Sequence, residues 1–120
     1  MKVNFHTKLK ELINEYILLG YKVSKKFPKE ELYGMISQCR RSSLSIMLNY
    51  IEGYARTKKK VMLNFYETSY GSLQESSYIF YLAVRLGYIK MKEYNKLFRY
   101  KEEISKMLWS TIEGIKRDIK

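Results

Sequence analysis

Apolar residues recur every three or four positions along nearly the whole chain, the spacing of helices that each bury one face. The pattern is interrupted at Pro28, near Gly53 and at Gly87, which divides the chain into four amphipathic stretches. We predict helices over about 4–25, 29–53 or slightly beyond, 58–86 and 92–119. Four helices with short connections favour an all-α, antiparallel up-down four-helix bundle, with residues 1–120 as a single domain.

The second and third helices each carry a second apolar stripe. In the second helix it consists of Leu44, Leu48 and Ile51. In the third helix the two stripes together exceed the roughly one third of the circumference that a bundle helix buries, so we predict a subunit interface there. Trp109 lies off the seam of the fourth helix and fits an interface anchor and an isolated surface aromatic equally well. The candidate interface residues are Leu63, Tyr66, Tyr70, Tyr81, Val84 and Trp109.

Residues at the helix ends predict the connections. Pro28 suits the first position of the second helix, where its missing N–H costs nothing. Gly53 can take a left-handed conformation that ends or bends that helix. Thr57 is the predicted N-cap of the third helix. Gly87 followed by Tyr88 is typical of a C-terminal glycine with a hydrophobic residue after it.

The chain carries 23 Lys and Arg against 12 Asp and Glu, a net charge of +11. Such an excess favours binding to a polyanion, whether a nucleic acid, an acidic partner or an anionic membrane surface. A basic surface that serves solubility alone is the alternative. The single cysteine fits a reducing compartment, and no apolar run suggests a signal peptide or a bilayer span. We therefore expect a cytoplasmic protein with no membrane partner.

The residue types needed for catalysis or metal binding are scarce. With His6 as the only histidine, the paired Glu-x-x-His motifs of a ferritin-like di-iron site are excluded, and a zinc site is not expected. Cys39 lies in an apolar stripe far along the chain from His6, so we predict a small core residue rather than a nucleophile. No glycine-rich phosphate loop is present. The sequence predicts a non-enzymatic protein without cofactors.

One polar constellation follows from the heights of residues in an antiparallel helix pair. If the second and third helices turn near residue 56, Arg41 lies opposite Ser72 and Gln38 opposite Glu75. Arg40 or Arg41 can then pair with Glu75, and an anion site built on the two arginines is the functional alternative. Asn49 and Glu52 are predicted to satisfy backbone groups at the end of the second helix. The predicted structural clamp consists of Arg40, Arg41, Asn49, Glu52, Ser72 and Glu75.

Cations mixed with aromatic residues follow the second helix and end the first. Lysine and arginine neutralise phosphates, and tyrosine rings stack on unpaired bases. Lys90, Lys92, Tyr94, Lys96, Arg99 and Tyr100 add to the same composition. A solvated basic face is the alternative. The candidate nucleic-acid-binding residues are Lys22, Lys25, Lys26, Tyr54, Arg56, Lys58, Lys59 and Lys60.

Motifs in the middle of the chain resemble a known family. They are Gln-Cys-Arg-Arg-Ser-Ser at 38–43, Asn-Tyr-Ile-Glu-Gly at 49–53 and Gly-Ser-Leu-Gln-Glu at 71–75, with Phe-Pro at 27–28. The pattern resembles the small bacterial four helix bundle proteins, which include those encoded in intervening sequences of 23S ribosomal RNA genes. The accessory variability determinant proteins of diversity-generating retroelements are relatives. Tyr50 departs from the isoleucine common in this family.

The resemblance implies a four-helix bundle that assembles into a ring-like homopentamer. For the retroelement relatives it also implies binding to a reverse transcriptase and to nucleic acid through a basic surface. We therefore expect an oligomeric protein that binds RNA or DNA or belongs to a ribonucleoprotein. The alternative is a scaffold or accessory subunit for an acidic or reverse-transcriptase-like partner, without direct contact to nucleic acid.

Overall fold

The computed structural model of the chain describes residues 4–119, and its regular structure in that range is helical. Each α-helix packs against two others: α1 and α3 both contact α2 and α4. The result is the predicted all-α four-helix bundle. Its helices are α1 (Phe5–Ser24), α2 (Ser37–Ala55), α3 (Lys59–Arg85) and α4 (Met91–Ile119).

The core is formed by the main apolar stripe of each helix. Residues with no measurable exposure come from all four helices and include Leu9, Ile46, Leu73 and Ile104. Burying one such side chain contributes about 1.5–3 kcal/mol. The outer faces carry charged residues, and among residues 4–119 no helix is apolar enough over a sufficient length to cross a bilayer.

The start of α2 differs from the prediction of a continuous helix from residue 29. A 3-10 turn over Lys29–Glu31 and a π-helical turn over Leu32–Ile36 come first. Gly34 has non-helical backbone angles (φ −108°, ψ −108°), which interrupt the regular hydrogen-bonding ladder. The Glu31 carboxylate accepts a hydrogen bond from the Met35 N–H at 3.2 Å. The α-helix therefore begins only at Ser37.

The α2–α3 turn also differs from the prediction. Gly53 does not end α2, because it lies inside the helix and is buried against Tyr66. The helix ends at Ala55, where Arg56 is extended. The N-cap of α3 is Lys58 rather than Thr57, and it makes no side-chain capping bond. This end of α3 is thus held by packing and not by a cap.

The predicted glycine at the end of α3 is confirmed. Gly87 has φ of 80°, the left-handed conformation that glycine adopts without cost. The Gly87 N–H donates to the Val84 carbonyl at 3.0 Å, and the Tyr88 N–H donates to the Ala83 carbonyl at 2.9 Å. This pair of bonds is a Schellman motif, which turns the chain into α4.

Candidate nucleic-acid interface

The eight predicted nucleic-acid-binding residues do not form one surface, because the bundle places them at opposite ends. We call one end the turn end, since it holds the α2–α3 turn with Tyr54, Arg56 and residues 58–60. The other end receives the last turn of α1, with Lys22, and the residues that follow it. The 20 residues of α1 separate the two ends by about 30 Å.

At the turn end, two of the cations already have partners within the chain. Arg56 donates to the Glu52 carboxylate at 2.6 Å and lies 5.2 Å from the centre of the Phe65 ring. Lys59 pairs with Asp118 at 3.7 Å. Lys58 and Lys60 are exposed and lie in no ion pair with another residue in 4–119. Two of the four cations of this turn therefore remain free for an external anion.

His6 joins the turn end through contacts that sequence spacing does not show. Its ring stacks on Tyr54 with 3.6 Å between centroids, and its Nδ1 lies 2.8 Å from the Tyr50 hydroxyl. Burial and then the charge of Lys10 lower the pKa of His6 below its usual value. The Tyr54 ring thus has one face covered by His6. Antiparallel packing of the first two helices places the start of the first beside the end of the second. The helix order in the sequence could therefore have suggested that His6 lies near Tyr50 and Tyr54.

At the opposite end, lysines from three segments converge on one groove of about 360 Å³. Lys22 and Lys26 come from α1 and the turn after it, Lys90 precedes α4, and Lys92 and Lys96 lie on its first turns. We call this region the lysine end. Lys25, also predicted as a binding residue, is exposed nearby in sequence but does not line the groove.

Glu93 is the one carboxylate among the residues that line the groove. It accepts hydrogen bonds from the Lys26 ammonium and from the Lys90 N–H, and these two bonds lower the pKa of Glu93. Glu93 thereby ties the start of α4 to the end of α1. Lys22, Lys90, Lys92 and Lys96 have no carboxylate within ion-pair distance anywhere in residues 4–119. Their like charges give this groove a positive potential, which favours anions.

The predicted Arg–Glu75 clamp is wrong in its partners. Glu75 instead accepts a hydrogen bond from the Gln38 amide at 2.6 Å, as the height matching allowed. Arg41 reaches this pair only through the Gln38 Oε1, at 2.9 Å. Arg40 points to α1, where its Nε donates to the Ser24 hydroxyl at 2.9 Å. The two arginines therefore face different neighbours and do not form a joint anion site.

Ser72 and Asn49, two other predicted clamp residues, are joined through the Ser45 hydroxyl on α2. The hydroxyls of Ser45 and Ser72 lie 2.8 Å apart, and the Asn49 amide donates to the Ser45 hydroxyl at 2.8 Å. Glu52 accepts a hydrogen bond from Arg56, four residues later in the chain. Its predicted role of satisfying backbone groups at the end of α2 is therefore wrong. The bond between Ser45 and Ser72 thus links α2 to α3 without charge.

The 23S rRNA-intervening sequence protein family matches residues 8–110 of the chain. The chain belongs to this family. No curated protein matches it in sequence. A crystal structure of a protein of unknown function, from the S23 ribosomal protein family of Bacteroides thetaiotaomicron, is similar: the TM-score is 0.79 at 24% identity, over 87% of this chain and 97% of that one. At that identity the likeness shows the fold.

Tyr50, at which the sequence departs from the family pattern that it resembles, fits within the core. Tyr50 is 2% exposed, and its ring lies 5.6 Å from that of Tyr66. Its hydroxyl is the partner of His6 described above. The hydroxyl group of this larger side chain is therefore hydrogen-bonded, to His6 at the turn end.

The doubled stripe on α3 is largely explained within the monomer. Tyr66 is 3% exposed, so its assignment to a subunit interface is wrong: its ring fills the core. Tyr70 packs on Trp109 and Tyr81 on Tyr94, so α4 of the same chain covers the second stripe. Leu63 and Val84 are likewise partly buried against the core. Trp109 remains 49% exposed.

A row of exposed apolar residues lies on α2. Leu44, Leu48 and Ile51 are between 42% and 52% exposed, and their one-turn spacing aligns them on the side of α2 opposite its buried face. We call these three residues the outer stripe. Sequence periodicity detects the stripe but not which of two stripes the bundle covers.

Proposed function

We propose that this family member is a non-enzymatic, cytoplasmic protein that binds RNA, with the lysine end as its principal contact to phosphates. The observation that carries the proposal is the convergence of Lys22, Lys90, Lys92 and Lys96 on one groove without carboxylate partners in residues 4–119. Like charges brought together destabilise a fold, so their concentration favours a role for an external anion.

A nucleic acid suits this surface better than a small anion. The groove is open and its lysines come from separate segments, so successive phosphates of a chain can contact them together. Each contact releases condensed counterions, which gives binding a steep dependence on salt concentration. The net charge of +11 adds long-range attraction.

Fluorescence anisotropy with a structured RNA at two salt concentrations tests the proposal. The double variant Lys92→Glu/Lys96→Glu should weaken binding about tenfold or more and reduce the salt slope by about 2. The matched control Lys58→Glu/Lys60→Glu makes the same change in net charge at the turn end, and its effect should be smaller. No binding at low salt, or binding indifferent to salt, would refute RNA binding. An equal loss of RNA affinity in both double variants would refute the lysine end as the principal contact.

A scaffold for an acidic or reverse-transcriptase-like partner is the alternative function, favoured by the exposure of Lys58 and Lys60 at the turn end. For this role, reversing the charges of residues 58–60 should weaken capture of such a partner while the affinity for RNA stays unchanged. A fall in RNA affinity after the same change would count against the scaffold.

We also propose self-association through the outer stripe, with a second copy of the chain as its cover. Three large aliphatic side chains exposed on one helix face lose unfavourable contact with water when another copy buries them. Leu48→Glu should reduce the mass measured by light scattering at micromolar concentration, whereas the control Tyr78→Glu on α3 should not. The resemblance favours five subunits. A monomer mass for the unaltered protein would end this proposal.

A further inference from the structure

A second groove lies between α1 and α4 and encloses about 720 Å³, enough for a drug-sized ligand or a nucleotide. Its floor is apolar, formed by Leu12, Leu18, Leu19 and Tyr100. Leu18 is 64% exposed, although it is a large aliphatic residue on a helix with a complete buried stripe. We call this cavity the α1–α4 groove.

The α1–α4 groove continues into the groove of the lysine end. Leu19, Lys22 and Lys96 line both cavities, so the two share a boundary. A ligand that enters between the lysines therefore reaches the apolar floor without crossing a helix. We call these two adjoining grooves together the channel.

Charge is graded along this channel. Lys22, Lys96 and Arg99 lie on the side toward the lysine end. Glu15 and Glu103 lie farther from the lysine end, Glu15 between Leu12 and Leu18 on α1 and Glu103 after Tyr100 on α4. Neither carboxylate forms an ion pair within residues 4–119. The channel thus offers cations near the lysine end and, farther along, an apolar surface with one aromatic ring and two hydrogen-bond acceptors beside it.

We propose that the α1–α4 groove binds a single-stranded RNA segment and prefers bases that carry an exocyclic amino group. Phosphates lie against Lys22, Lys96 and Arg99, a base lies on the floor beside Tyr100, and its amino group donates to Glu103 or Glu15. This inference rests on the proposed RNA binding and specifies which RNA the protein takes.

A single strand fits and a duplex does not. The axes of packed helices lie about 8–10 Å apart, so the surface groove between two of them is too narrow to seat an RNA duplex, whereas an unpaired base can lie in it. Stacking on an aromatic ring is available to every base. Carboxylates accept hydrogen bonds from amino groups such as that of cytosine, whereas uracil carries at that position a carbonyl oxygen, which a carboxylate repels. The net positive charge of the channel mouth favours RNA over an acidic peptide, whose carboxylates would meet Glu15 and Glu103.

Fluorescence anisotropy with labelled oligo(C), oligo(U) and a duplex of equal length tests this inference. The unaltered protein should bind oligo(C) several-fold more tightly than oligo(U), and the duplex most weakly. Tyr100→Leu should weaken both single strands about tenfold, as expected for the loss of base stacking. Leu18→Ser is a second floor variant at an exposed position, and it should weaken them in the same direction. Tyr78→Leu on the exposed face of α3 is the matched aromatic control and should change neither.

Carboxylate variants separate base recognition from general electrostatics. Glu103→Ala should reduce the ratio of the affinity for oligo(C) to the affinity for oligo(U). The control Glu67→Ala should shift both affinities equally. Equal binding of all three RNAs, with no effect of Tyr100→Leu or Leu18→Ser, would overturn the groove inference and leave general RNA binding standing. Absence of binding to any RNA would overturn both the groove inference and the proposed RNA binding. An acidic amphipathic peptide that binds the groove in place of RNA would overturn both as well.

Discussion

Gly53→Ala is the most direct test of how the turn end is packed. Gly53 is buried in the last turn of α2, and an added Cβ would lie 2.7 Å and 2.8 Å from two carbons of the Tyr66 ring. It would also lie 3.2 Å from the Phe65 Cβ. Favourable contacts between carbon atoms lie at about 3.5–4.0 Å, so the ring would have to move by several tenths of an ångström or more.

The ring has little room for that movement. Tyr66 is 3% exposed and packs against Tyr50, which is itself buried and bonded to His6. Overpacking of this kind costs about 1–3 kcal/mol. Alanine regains about 1 kcal/mol through its helix propensity. With two contacts under 3.0 Å the cost lies toward its upper end, so we expect a net loss of about 1–2 kcal/mol in the free energy of unfolding.

Gly71→Ala is the matched control, since an added Cβ there meets no atom within 4 Å in the middle of α3. This variant should gain about 0.5–1 kcal/mol from helix propensity alone. Urea denaturation followed by circular dichroism measures both, with unchanged m-values as the check for two-state unfolding. If Gly53→Ala is as stable as the unaltered protein or more so, the close packing of Tyr66 against α2 is incorrect.

Three further predictions concern single side chains. Tyr16→Phe removes the buried hydrogen bond between the Tyr16 and Ser76 hydroxyls, 2.8 Å apart, and should lower the free energy of unfolding by about 1 kcal/mol in the same urea assay. Burial raises the pKa of the Cys39 thiol to about 11, so a thiol reagent at about pH 8 should label it only in denaturant; rapid labelling of the native protein would contradict this. Burial lowers the pKa of His6, so the unfolded chain binds the proton more readily, and stability should fall as the pH drops from about 7 to about 5. His6→Gln should lose that part of the pH dependence in denaturation curves recorded across the same range.

The helices and one of their connections could be predicted because local rules determine them. Apolar periodicity placed all four helices, and Gly87 gave the turn into α4 because only glycine adopts its φ of 80° at no cost. The beginning of α2 could not be placed, because Gly34 permits a non-helical backbone without requiring one. The role of Gly53 could not be predicted, since a glycine buried for close packing looks the same in sequence as one that ends a helix.

The candidate sites were predicted less well, because they depend on which side chains meet. Height matching paired Gln38 with Glu75 correctly, but Arg40 found Ser24 on α1 instead. A long side chain reaches several partners within one helical turn, so height alone does not select among them. The separation of Lys22 from Lys58 by a helix length, by contrast, follows from antiparallel order and could have been drawn from the sequence. The α1–α4 groove depends on how two helices pack and has no local signal.

The two proposed surfaces lie on different parts of the bundle, and this allows them to act together. The outer stripe is on α2, whose packing neighbours are α1 and α3, whereas the α1–α4 groove opens beside α4. A second copy seated on Leu48 therefore leaves the groove of each chain open. Several grooves in one particle would bind a long RNA with an effective concentration that no single groove provides. Leu48→Glu should consequently weaken binding to a long RNA while leaving the affinity for a short oligo(C) unchanged, and an equal loss for both would mean that the stripe and the groove are not independent.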